Sequence, residues 1–132
     1  MKARVAEVRA ELEARGVAFD AKLLVGIMVE VPSAAFIIDQ LCQEADFFSI
    51  GTNDLTQYFL AVDRDNRAVA ELYDSRAPAM LRLLAMIVSE AHRGGRWVGL
   101  CGEMGRDVLN LPLLIGLGLD EISGAAPEVP AI

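Results

Sequence analysis

The chain has 132 residues, of which 54% are hydrophobic and 23% charged. That is enough apolar material for one globular core, too little charge for intrinsic disorder, and about half of the roughly 250 residues of a complete eightfold barrel. Twelve Lys and Arg against nineteen Asp and Glu leave a net charge of −7, which argues against nucleic acid as a partner because phosphate binding needs a cationic face.

Along the chain, Val5, Val8 and Leu12 recur at helical spacing and Gly16 follows as a stop, so an amphipathic helix opens the sequence. Leu23 to Val31 is a nearly continuous apolar run, the pattern of a parallel strand buried on both faces, and Pro32 ends it. Ser33 is placed to cap a helix from Ala34 to about Glu44, and Asp46 to Gly51 reads as the next strand. Asn53 or Asp54 then starts a helix through Leu60, residues 63–76 are charged and irregular, and Pro78 opens a helix that Gly94 and Gly95 close. Trp97 to Leu100 is a third strand, a helix includes Val108 to Ile115, and Asp120 to Ser123 is a short fourth strand. One helix, three strand–helix units and a last strand predict an α/β fold with a parallel sheet and right-handed crossovers.

No apolar run approaches the ~20 residues that span a bilayer, and the opening MKARVAEVRAELEARG lacks the apolar core of a secretory signal. Cys42 and Cys101 have no CxxC spacing, which points to free thiols in a reducing cytoplasm.

Ligands of parallel α/β folds bind at the carboxyl ends of the strands. Polar groups expected on that rim are Glu30 after the first strand, Thr52, Asn53 and Asp54 after the second, Cys101, Gly102 and Glu103 after the third, and Ser123 and Gly124 after the fourth. Glu30 follows a run of apolar residues and needs a cation or donor to meet it. Glu30 and Asp54 are hard oxygen ligands of the kind Mg²⁺ takes, completing its shell with water and substrate oxygens; exposed rim carboxylates, with Asp54 as a helix cap, are the other reading.

Cys101 reads either as a buried structural thiol or as a neutral thiol among carboxylates, a proton donor instead of a nucleophile. The absent side chain of Gly102 leaves its backbone open to a ligand. Arg64 is a surface arginine or a guanidinium that holds a phosphate bidentately. His92, the only histidine, is explained by its place near a helix end, and Cys42 reads as core.

The strings GIMVEVPSA, DFFSIGTNDLTQYFLAVDRDN, PAMLRLL, WVGLCGEMG and LPLLIGLGLDEIS together resemble the carboxyl-terminal part of the phosphoenolpyruvate-utilising (β/α)₈ barrel. Within that superfamily they are most similar to Enzyme I, the phosphoenolpyruvate-protein phosphotransferase of the bacterial sugar phosphotransferase system. The dikinase and synthase enzymes, which share the GTNDLTQ-like and CGE-like segments, come second, and a non-catalytic structural or dimerisation module is the alternative of another class. The resemblance implies that residues 1–132 are the barrel's second half, strands five to eight, with residues 1–22 as the preceding helix and linker and the last barrel helix cut at APEVPAI.

It further implies Glu30 and Asp54 as Mg²⁺ ligands, Asn53, Asp54 and Arg64 in phosphoryl binding, and Cys101 as the acid that protonates the enolate to pyruvate. The substrate is then phosphoenolpyruvate, and the acceptor is a histidine on a separate domain that passes the group to an HPr-type carrier. His92 matches no part of that histidine's motif. The resemblance implies a piece of a longer protein, a fusion with carrier and sugar-specific modules being one form of it, that is expected to be inactive alone and to pair as a homodimer over its uncovered strand edges.

Overall fold

The computed structural model describes residues 1–125. Helix α1 (Lys2–Ala14) precedes four strands, β1 (Ile27–Val29), β2 (Phe47–Gly51), β3 (Trp97–Cys101) and β4 (Glu121–Ile122), all parallel and joined in chain order into one sheet. Helices α2 (Pro32–Ala35) and α3 (Ile38–Leu41) connect β1 to β2, α4 (Thr52–Leu60) and α5 (Pro78–Arg93) connect β2 to β3, and α6 (Leu111–Gly116) leads into β4. The expected alternation and parallel sheet are present; the expectation for APEVPAI concerns residues 126–132, which lie outside the described residues.

Side-chain alternation divides the sheet into two unlike faces. Val29, Ile50, Leu100 and Ile122 form one cross-strand row, with Phe48 and Val98 in the next, and all but the half-buried Ile122 are fully buried. They pack in one core with Ile38, Leu55, Met80, Leu84, Ile87 and Leu114 from the helices. On the opposite face Met28 is 50% exposed and Phe47, Ser49, Trp97 and Cys101 are only half-buried. Phe47 and Trp97 stack there with ring centroids 4.3 Å apart, beside Gly26, where any Cβ would collide with the Phe47 ring.

That asymmetry corrects the reading of Leu23 to Val31 as a strand buried on both faces. Pairing begins only at Ile27, because the Asp20 carboxylate and carbonyl accept from the Lys22 and Leu23 amides and fold residues 20–23 into a turn, leaving Leu23 and Leu24 more than half exposed. Ser33 is not a cap: Pro32 occupies the first helical turn, Val31 is the N-cap residue, and the expected single helix to Glu44 is broken at Phe36 and Ile37. α4 begins at Thr52 with Gly51 as N-cap, so Asn53 and Asp54 lie inside its first turn and cap nothing. Val108 to Asn110 is a 3₁₀ turn that runs into α6, and α1 buries none of its residues completely.

Cys42 and Cys101 are both free thiols, Cys42 buried as expected, and burial pushes its thiol up. None of the helices among the described residues is long and apolar enough to cross a membrane.

At the amino end of the strands, His92 Nε2 meets Asp120 Oδ2 at 2.8 Å, and the same carboxylate oxygen accepts the Val98 amide at 2.8 Å. His92 therefore joins the end of α5 to the segment before β4, a tertiary role beyond the helix-end charge expected for it. The hydrogen bond from His92, with the Val98 amide second, holds the Asp120 carboxyl below the usual carboxylate range. A lowered carboxyl contributes stability that is present above its unfolded value and is lost as pH falls through the folded one. Asp120→Ala leaves the fully buried Val98 without its acceptor and is expected to cost about 1–3 kcal/mol at neutral pH. Urea unfolding of parent and variant should differ by that amount near pH 7, and the difference should shrink below about pH 4.

Candidate functional site

Register brings the carboxyl ends of three strands level. Val29 pairs with Ile50 and Gly51 with Cys101, so Glu30, Gly51 and Cys101 form one row across the open face. The Ser123 amide donates to the Leu100 carbonyl at 2.9 Å and brings β4's end alongside. Gly51 is the low point of this row: a Cβ there would lie 3.1 Å from Glu30 Cβ and 3.3 Å from Glu30 Oε2. The Glu30 side chain leans over the bare glycine, half-buried, and has no hydrogen-bond or ion-pair partner among the described residues.

Cys101 is the last residue of β3, one position further into the strand than the sequence suggests. Its S–H donates to the Ile50 carbonyl at 3.6 Å and its sulfur accepts from the Ser49 hydroxyl at 3.5 Å. The sulfur thus meets one acceptor and one donor, both from β2. Its backbone is fixed as well, since the Thr52 hydroxyl donates to the Cys101 carbonyl at 3.2 Å.

The first turn of α4 carries the next two groups. Asn53 Oδ1 accepts the Glu103 amide at 3.0 Å, which orients the side-chain amide and leaves its NH₂ for a ligand. Asp54 stands 3.6 Å from Arg64, with both side chains more than a third exposed. A pair this open is worth about 0–1 kcal/mol, so the guanidinium is readily exchanged to a better anion. The loop that carries Arg64 is held to α4 at three further points, by Arg64 N–H to Gln57 Oε1, Val62 N–H to the Gln57 carbonyl, and Tyr73 O–H to the Asn53 carbonyl.

Two clefts flank Asn53. One of about 290 Å³ is lined by Gly102, Glu103, Arg106, Ser123 and Gly124, and one of about 230 Å³ by Tyr73, Asp74, Arg76, Glu103 and Asp107. The structure thus brings Glu30 and Cys101 into one row and Asn53, Asp54 and Arg64 around the start of α4, while His92 lies at the other end of the strands. Sequence reasoning placed Thr52 on the rim and overlooked Ser49, Tyr73 and Arg106. Alternation back from Gly51 is the signal that would have put Ser49 on the Cys101 face; nothing in the spacing of CGEMGRD marks Arg106.

A two-carboxylate Mg²⁺ site fits these residues in one respect that can be read from the geometry: the Glu30 carboxylate is half-buried with no protein donor or cation of its own. Among the described residues no cluster of three or more His, Cys, Asp or Glu is arranged for a metal.

Residues 1–132 match the family model described as PEP-utilising enzyme, PEP-binding domain. The chain is 56% identical over 131 residues to multiphosphoryl transfer protein 2 of Escherichia coli (strain K12), covering 99% of this chain and 16% of that protein. It is 51% identical over 128 residues to the phosphoenolpyruvate-protein phosphotransferase of Priestia megaterium, covering 97% of this chain and 22% of that one. Among solved structures it superposes on an HpcH/Hpal aldolase/citrate lyase family protein from Burkholderia cenocepacia with a TM-score of 0.63 and 16% identity, over 84% of this chain and 39% of the other. The chain therefore spans less than a quarter of the length of these curated relatives.

Gly102 serves the protein's own packing before any ligand. It adopts φ +116°, and a Cβ there would collide with Thr52 Oγ1 and lie 3.0 Å from Asn53 Oδ1, while its half-buried backbone still lines the cleft of about 290 Å³. Gly102→Ala should destabilise the chain by about 1–3 kcal/mol through backbone strain alone, read as a lower urea midpoint.

Proposed function

The chain belongs to the PEP-utilising enzyme family as its PEP-binding domain, and from that premise we propose that it supplies the metal-binding and proton-donating half of a phosphoenolpyruvate-protein phosphotransferase. The single observation that carries this reading is the row Glu30, Gly51, Cys101 at the strand ends, at the point where β2 runs into the helix whose Asp54 holds the Arg64 guanidinium only loosely. In it, Arg64 and the Asn53 NH₂ bind the phosphoryl oxygens and balance their charge. Glu30 and Asp54 hold Mg²⁺, which when bound neutralises charge on the transferred phosphoryl group. Cys101 hands its proton to C3 of the enolate, giving pyruvate.

The remaining walls of the substrate site, the phosphorylatable histidine and the contact with an HPr-type carrier belong to segments that this chain does not contain, and the reaction is cytoplasmic. Among the described residues β1 and β4 are the outer strands of the sheet with no further strand paired to them, which supports association of the chain with itself as a homodimer.

The isolated 132 residues should release no pyruvate from phosphoenolpyruvate with Mg²⁺ above a no-protein control, since an active site needs all its walls; measurable turnover would overturn this. Sedimentation at micromolar concentration should give a dimer, and a compact monomer alone would contradict the association. In the full-length protein, single-turnover formation of phosphohistidine and of pyruvate separates the roles. Cys101→Ala should keep phosphohistidine formation while ketonisation falls by roughly 10²–10⁴, and Glu30→Ala should lose both. Pyruvate at the parent's rate in Cys101→Ala would make the thiol a packing group.

A further inference from the structure

We propose that Ser49 is the positioning residue of the Cys101 thiol: its hydroxyl fixes the sulfur in the resting site and stays on it as the thiol gives up its proton. The inference rests on the reading of Cys101 as the proton donor. Its geometry begins with register. The residue paired with Cys101 across the β2–β3 ladder is Gly51, which has no side chain, and the next residue of β2 on the same face is Ser49, paired with Gly99. Two bare glycines therefore leave the diagonal from Ser49 to Cys101 open, and the hydroxyl crosses it to Sγ at 3.5 Å.

The sulfur is then held from one strand by two opposite kinds of contact. Ser49 donates to it, and its own S–H is parked on the Ile50 carbonyl at 3.6 Å. Packing does not require a hydroxyl here. Ser49 sits on the open face in a row with Met28, Gly99 and Glu121, and its hydroxyl has no other hydrogen-bond partner among the described residues.

During ketonisation the S–H bond breaks, a C–H bond forms at C3 of the enolate, and the electron pair stays on sulfur. A donor already aimed at that sulfur strengthens as the charge develops, because hydrogen bonds to an ionised acceptor are the strong ones and no reorientation is needed. The Ile50 carbonyl cannot take this part, since it only accepts.

The test uses Ser49→Ala and Ser49→Thr in the full-length protein, with Cys101→Ala as the reference. Single-turnover pyruvate formation should fall roughly 10- to 100-fold in Ser49→Ala, the range for a lost hydrogen bond to a charged group. Phosphohistidine formation should be unchanged, and Ser49→Thr, which keeps the hydroxyl, should restore the rate. The infrared S–H stretching band that Cys101→Ala removes should shift in Ser49→Ala and return in Ser49→Thr, a signature that packing alone does not move. An unshifted band, a parental ketonisation rate in Ser49→Ala, or an equal fall of both chemical steps would overturn the proposal. If Cys101→Ala is slow and Ser49→Ala is not, Ser49 alone is refuted; if Cys101→Ala ketonises at the parent's rate, the reading of Cys101 itself fails.

Discussion

Gly51 carries no side chain, and the rest of the site is arranged around that gap. Glu30 leans into it from β1 and Cys101 stands across it on β3, so that two strand ends a full strand apart share one open surface. A methyl group there would press on the Glu30 carboxylate at 3.3 Å and displace the one side chain of the row that has no partner of its own. Gly51 is at the same time the N-cap residue of α4, so the gap in the row and the start of the helix that presents Asn53 and Asp54 are the same residue. Strand pairing, the start of the helix and the placement of the carboxylate thus meet at one residue.

The two faces of the sheet divide the work. The helix-covered face buries the Val29, Ile50 and Leu100 row with the apolar side of α5, and hydrophobic burial there holds the strands in register. The open face keeps Met28, Phe47, Ser49, Trp97, Cys101 and Glu121 half-buried or exposed, which leaves it free for chemistry. The two ends of the strands differ as well. His92, Asp120 and the Val98 amide tie the amino end together, whereas the carboxyl end carries the loosely held groups, Glu30 and the Asp54–Arg64 pair. A stable end and an adaptable end are what the parallel barrel architecture favours.

How much of this was legible beforehand follows from the range of the forces involved. Local and periodic signals, the apolar runs, the Pro78 start and Gly94–Gly95 stop of α5, and the GTND and CGE segments at strand ends, determine the element order, the parallel sheet and the names of Glu30, Asn53, Asp54, Arg64 and Cys101. Those depend on neighbours a few residues away or on the resemblance of whole strings, and both are contained in the sequence. Tertiary structure alone decided which face of β1 is open, that Ser33 caps nothing, that Gly102 makes room for Thr52 and Asn53, and that Ser49 reaches Cys101 and His92 reaches Asp120. Each of these is a contact between residues on different elements. It exists only once register and helix docking have set distances that no local pattern encodes.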